Sequence, residues 1–227
     1  MSALSSTEDM TSNANTAGSI SPCKELWFDD GNIVLIAGKT SFRVHRSLLA
    51  RHSPVLSDIL SIPRASDPSS TQVDSEGCSV IQLSDSSDDI RCLLSILYDF
   101  GDKCFDRDVV LPFATVSSML TIGMKYQIDR IAGEAIRRLK ICFPTKLEDF
   151  YDNWTFGDNN PPPDHFVPIH MSHSDAIDVV RLAIMFDLIS VLPAAFYKCA
   201  QLLTWDLFQA VSDRRRSLDT LRTCIDG

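Results

Sequence analysis

The chain has 227 residues and is 44% hydrophobic, which is enough for a substantial core and too much for a wholly disordered protein. Its 21 lysines and arginines against 30 aspartates and glutamates give a formal net charge of −9, so its surface repels nucleic-acid phosphates and anionic lipids. We therefore expect neither direct nucleic-acid binding nor membrane binding. The start of the chain is polar and unlike a secretory signal, so we expect an intracellular protein, cytoplasmic, nuclear or both.

The first part of the chain predicts a polar tail followed by short strands. Residues 1–22 have little to bury and predict a disordered tail. In the last of the strands, the alternation places Ser41 and Arg43 on the face opposite Phe42. The strand signals lie at 25–28, 33–37 and 40–44, and we expect them to form a hairpin.

Helical spacing begins at His45, which we expect to be a buried histidine hydrogen-bonded to backbone rather than a catalytic group. Ser53 followed by Pro54 predicts a second short helix. Residues 61–79 are rich in Pro, Ser and Asp and predict an exposed loop, followed by a strand at 80–83. A capping box at 86–89 then opens the clearest amphipathic helix, whose apolar face holds Ile90, Leu93, Leu94 and Leu97.

Helices dominate the rest of the chain. Pro112 and Asp129 each open one, and basic residues in the last turn of the second, Arg137, Arg138 and Lys140, suit the helix dipole. Helical spacing returns near Ser174 and continues past Pro193, with a further helix expected over 205–224. No internal repeat is evident.

Motifs that would indicate chemistry are weak. The seven cysteines include no C-x-x-C pair, which argues against a disulfide framework or a cysteine zinc site. Gly38-Lys39-Thr40 fails as a phosphate loop, because the position that needs the first glycine holds Ile33. We expect no catalytic residue, no cofactor and no metal. An enzyme or metal-binding protein that uses His165, His170 and His173 remains the alternative.

Several segments in order resemble a BTB/POZ domain. The opening segment LWFDDGN and the step RHSP at 51–54 look most like the BTB proteins expanded in mushroom-forming fungi. The segments that carry the resemblance are GNIVLI at 31–36, FRVHRSLLA at 42–50, SPVL at 53–56, LLSILY at 93–98 and MLTIGMKYQI at 119–128.

The resemblance implies an α+β fold, with a helical cluster flanked by a small sheet and followed by a C-terminal helical region. We expect a tail over 1–22, a BTB/POZ-like domain over 23–143, a linker over 144–173 and the C-terminal helical region over 174–227. The implied function is protein–protein interaction, as an adaptor that forms a homodimer and recruits partners. A transcriptional regulator that acts through a separate DNA-binding partner is a further alternative.

In BTB domains the dimer surface is built from the first strand and the first helix. The resemblance therefore implies an interaction surface made of Leu26, Trp27, Phe28, Asn32, Arg46, Leu48 and Leu49. Trp27 and Phe28 fit equally well in the chain's own core. Asn32 stands where the family often has Asp, so we expect Arg46 to be partly hydrated or to find a carboxylate such as Asp30.

One branch of the family bridges substrates to a cullin-3 ubiquitin ligase. Those adaptors often carry a hydrophobic-x-Glu motif in the loop that corresponds to 61–79. Here Asp74 stands two residues before Glu76, so the motif is absent. Cullin-3 is therefore a hypothesis for the partner.

Overall fold

The computed structural model describes residues 20–61, 77–146, 149, 167–172 and 174–202. Most of the predicted tail, most of the loop at 61–79, the predicted helix at 205–224, and both His165 and His173 lie outside the described residues.

A small mixed sheet forms one layer. Its strands, in the spatial order β1-β3-β2-β4, are β1 (Ser21–Trp27), β2 (Ile33–Ala37), β3 (Thr40–Val44) and β4 (Ser79–Leu83). Strands β2 and β3 form the predicted antiparallel hairpin, whereas β1 runs parallel to β3 and β4 runs parallel to β2. Because β1 begins at Ser21, the boundary predicted for the tail is wrong: Ser21 and Pro22 belong to the sheet.

Strand β3 is central, and both of the faces predicted for it are buried. Ser41 and Arg43 are both buried, like Phe42. The Arg43 side chain lies across Gly31 and its Nε donates to the Gly31 carbonyl at 2.9 Å. A Cβ on Gly31 would lie 2.8 Å from Arg43 Cγ, so this glycine is required by the close approach.

Helices cover the sheet and fill the rest of the fold. They are α1 (Arg46–His52), α2 (Pro54–Ser61), α3 (Ser87–Ser95), α4 (Gly101–Phe105), α5 (Phe113–Lys125), α6 (Asp129–Cys142), α7 (Asp175–Met185) and α8 (Leu192–Ala200). A π-helical turn over Ile96–Phe100 joins α3 to α4, and the two-residue strands β5 (Leu111–Pro112) and β6 (Ile169–His170) pair in parallel. The predicted α+β class is confirmed, and buried residues from the sheet and all the longer helices form one apolar core.

Helix α3 is the centre of this core. The predicted cap is present, since the Asp89 backbone N–H donates to Ser86 Oγ at 3.1 Å. Leu94 is fully buried, as predicted. Beyond it Ile96 is buried and Leu97 only half-buried, because the wider π-helical turn changes the phase of the apolar face.

The basic residues in the last turn of α6 were predicted to suit the helix dipole, but the side chain of one of them, Arg138, is completely buried. All five of its N–H groups are used. Nε donates to Glu134 at 2.7 Å, and the two Nη atoms donate to four backbone carbonyls. These acceptors are Val109 at 2.6 Å, Pro168 at 2.8 Å, Cys104 at 3.2 Å and Asp106 at 2.7 Å.

Glu134 completes this buried network. Burial alone would raise the pKa of Glu134, but hydrogen bonds from Arg137 and Arg138 outweigh it and lower that pKa. The carboxylate therefore stays charged beside Arg138 and compensates its buried charge. Through Pro168, the network also joins the segment before β6 to the domain, and Ile169 and Met171 of the predicted linker are buried in the core.

Helices α7 and α8 repeat the geometry of α5 and α6, so the interpretation that the chain has no internal repeat is wrong. Gln127 and Asp187, 60 positions apart, have φ of 53° and 55°. In the first hairpin the next residue, Ile128, donates its N–H to the Gly123 carbonyl at 2.8 Å. In the second, Leu188 donates to Ala183 at the same 2.8 Å.

The repeat was not found from the sequence because the two hairpins share almost no identical residues. Between 119–139 and 179–199 the only identical pair is Ala135 and Ala195. What repeats is the pattern of burial, including a buried cation at the same place, Arg138 in α6 and Lys198 in α8.

We expect Leu94→Ala to lower the free energy of unfolding by about 2–5 kcal/mol, because it leaves a cavity in a fully buried site. Ser95→Ala, at the half-exposed neighbouring position, should change it by about 0.5 kcal/mol or less. Urea titrations of the two variants would measure the difference, and equal effects would contradict the helix phase described above.

We expect Arg138→Ala to lower the free energy of unfolding by about 3–5 kcal/mol, because it removes the buried donor of Glu134 and of the Val109, Cys104 and Asp106 carbonyls. Arg137→Ala is the matched control, since Arg137 bonds the same carboxylate from a partly exposed position and should cost about 1 kcal/mol or less. Similar losses for both variants in urea titrations would show that the backbone carbonyls contribute little.

Candidate interaction surface

Strand β1 forms one edge of the sheet, and among the described residues it pairs with β3 alone. Lys24 and Glu25 on this strand are exposed, whereas Cys23 and Leu26 point into the core. The outer edge of β1 thus carries backbone N–H and C=O groups of the kind that can pair with another strand.

The predicted surface residues divide into two groups. Leu26 and Leu49 are buried in the chain's own core, so they add no exposed apolar area in this structure. Trp27 and Leu48 are half-buried and lie at the places where the first strand ends and the first helix begins. The apolar part of the surface is therefore smaller than the sequence predicted.

Phe28 packs against the chain itself. Its ring stacks on Tyr98, with 4.4 Å between the ring centroids and 18° between the planes. The His45 ring lies 5.5 Å from Phe28 and 5.9 Å from Tyr98, so the three rings form one cluster. Phe28 remains half-buried and keeps part of its surface at the domain's exterior.

His45 bonds two side chains rather than the backbone partner that was predicted. Its Nδ1 lies 2.8 Å from Tyr98 Oη, and its Nε2 lies 3.2 Å from Asp30 Oδ1. The backbone N–H of His45 also donates to Tyr98 Oη at 2.8 Å. Burial raises the pKa of Tyr98, so its hydroxyl keeps its proton.

Asn32 holds the start of α1. Its Oδ1 accepts the backbone N–H of Arg46 at 2.8 Å, which satisfies one of the free donors at a helix N-terminus. The Arg46 guanidinium donates to the Leu60 carbonyl in the last turn of α2. Of the two outcomes expected for Arg46, the structure has the hydrated one, since Arg46 is exposed and Asp30 lies beside His45 instead.

Tyr98 is the member of this surface that the sequence analysis missed, and Asp30 was considered there only as a partner of Arg46. Tyr98 is 53 residues from His45 along the chain, so no local spacing connects the two. Its only signal was its position at the end of the amphipathic helix.

In the described part of the chain, the side chains that could bind a metal or react with a substrate are not gathered into a site. His170 lies exposed in β6, and across the described residues no three His, Cys, Asp or Glu side chains are placed to hold a metal ion. Burial raises the pKa of both Cys92 and Cys142 to about 12, so these thiols are neutral and unreactive. Within the same described ranges, no helix has the length and apolarity needed to cross a membrane.

Comparison with protein-family models gives a match for this chain. The family model of the BTB/POZ domain matches residues 28–140, which run from the end of β1 to the last turn of α6. A search of curated proteins found no significant match. BTB/POZ domains are protein–protein interaction modules, and the matched segment has the small sheet and helical cluster described above. This chain therefore carries a BTB/POZ domain over residues 28–140.

Proposed function

We propose that this protein is an adaptor that self-associates through its BTB/POZ domain and recruits protein partners. The observation that carries the proposal is the BTB/POZ match over 28–140, since such domains mediate protein binding and dimerisation in general. The edge of β1 and the adjacent start of α1 are the surface we assign to self-association.

Backbone pairing supports this assignment. An edge strand with free N–H and C=O groups can add a strand from another chain, and the hydrogen bonds then supply affinity while neighbouring side chains supply specificity. Trp27 and Leu48 are partly exposed next to this edge, and aromatic residues are enriched at interfaces.

We expect the dimer to be weak. The reason lies in how the chain uses its apolar residues. Leu26 and Leu49 are used by the chain's own core, so little apolar area is left at the surface. Small interfaces of this kind are typical of transient association.

We expect light scattering at micromolar concentration to give twice 25.3 kDa for the native chain and to move toward the monomer in the double variant Trp27→Asp, Leu48→Asp. Two buried charges would oppose association, because each loses its hydration at the interface. Point substitutions are preferable to deletion of 1–28, which would also remove Cys23 and Leu26 from the core.

Ile141→Asp is the matched control, since it introduces the same charge at an exposed apolar residue of α6 away from β1. The control should stay dimeric, and circular dichroism should show that all variants keep their fold. A strict monomer for the native chain, or equal dissociation of the control, would refute the assigned surface.

Assembly with cullin-3 is the more specific form of this proposal, and it is supported by the family resemblance. The hydrophobic-x-Glu motif of such adaptors is incomplete here, with Asp74 in the place of the hydrophobic residue. We expect the native chain to bind the N-terminal part of cullin-3 weakly in size-exclusion chromatography. Asp74→Phe should tighten binding, because one buried aromatic side chain contributes about 1.5–3 kcal/mol.

Asp67→Phe, in the same stretch of sequence but outside the motif, is the control for added hydrophobicity. If neither the native chain nor Asp74→Phe binds, the cullin-3 role is refuted, while the self-association described above is unaffected.

A further inference from the structure

The two helical hairpins bury the same positions but expose opposite chemistry. In the first hairpin the outer positions of α6 are Asp129, Gly133, Arg137 and Lys140. The positions 60 residues later, on α8 and the turn before it, are Ile189, Pro193, Tyr197 and Ala200, all exposed and none of them charged.

The end of α7 extends this apolar face. Ile184 is 51% exposed, Met185 57% and Ile189 67%. The matching places in the first hairpin hold Met124, which is 39% exposed, and Lys125, which is salt-bridged to Asp85. A stack of helical hairpins needs a polar outer face on its last member, and the second hairpin lacks one.

We propose that residues 203–216 of this chain cover the apolar face as a further helix that runs back along α8. The chain leaves α8 beside this face, because the N–H groups of Gln201 and Leu202 still bond the carbonyls of Lys198 and Cys199. A segment tethered there has an effective concentration in the millimolar range, which favours it over a separate molecule.

The sequence of the segment has the required pattern. Leu203, Leu207, Phe208 and Val211 fall at i, i+4, i+5 and i+8, which forms one apolar stripe on a helix. Thr204 falls within this stripe. Asp206, Gln209, Ser212 and Asp213 lie on the other side, together with Trp205, and would face the solvent.

The length of this segment and the position of its charged residues both fit a helix that runs back along α8. Residues 203–215 as a helix span about 18 Å, enough to pass the nine residues of α8, about 14 Å, and reach the turn that precedes it. Arg214–216 would then lie beside the exposed Asp187 and the carbonyl end of α7, where positive charge is favourable.

Hydrogen exchange of the full chain, followed by mass spectrometry, tests the proposal. A helix as short as 203–216 is marginal in isolation, so protection of the amides at 204–211 would report docking. Ile189→Asp should accelerate exchange in this segment about tenfold or more, the factor expected when one buried apolar contact is replaced by a charge. Because Ile189 is largely exposed in the described fold, α7 and α8 should keep their own protection.

Met124→Asp is the matched control, since it places the same charge at the exposed apolar position of the first hairpin and should leave 204–211 protected. Rapid, unprotected exchange at 204–211 in the native chain would overturn the proposal, as would protection that Ile189→Asp leaves unchanged. Protection that grows with protein concentration would assign the face to a second copy instead. None of these outcomes depends on whether the chain self-associates through the edge of β1.

Discussion

The buried guanidinium of Arg138 is the interaction on which the rest of the structure depends. Cys104 lies in the last turn of α4, and Asp106 and Val109 follow in the irregular stretch before β5, so their carbonyls have no partner within a helix or strand. One planar group with five donors satisfies them together with Pro168, and Glu134 balances its charge. Without it, the carbonyls of Asp106 and Val109 would lose their buried donor, and Pro168 would keep only the Leu111 N–H at 3.1 Å.

This arrangement explains how a small BTB/POZ domain continues into a second helical hairpin. The segment at 167–172 adds Ile169 and Met171 to the core of the matched domain, and α7 and α8 then add their own buried residues to the same cluster. The hairpin geometry occurs twice because the buried residues of the two hairpins pack in the same way. The exposed residues take no part in this packing, so they can differ between the hairpins. As a result, the outer face of α6 is polar and the outer face of α8 is apolar.

The proposed interaction surface is small because the chain's own core uses part of its apolar residues. The first strand and first helix each place a leucine, Leu26 or Leu49, in the chain's own core, because the sheet has too few strands to bury a core alone. What is left for a partner is the strand edge, partly exposed Trp27 and Leu48, and a rim ordered by side-chain bonds. Asn32 fixes the start of α1 in this rim by accepting the Arg46 backbone N–H.

The sequence by itself determined the fold class, the order of the elements and the family. It could do so because caps, turns and apolar periodicity act over a few residues, as in the Ser86 cap of α3. Only the tertiary structure decided where Arg138 and Arg43 lie, which rings meet His45 and that two hairpins share one geometry. These features depend on contacts between distant residues, 53 positions apart for His45 and Tyr98, and on burial that overrides the ordinary preference of a charged side chain for water.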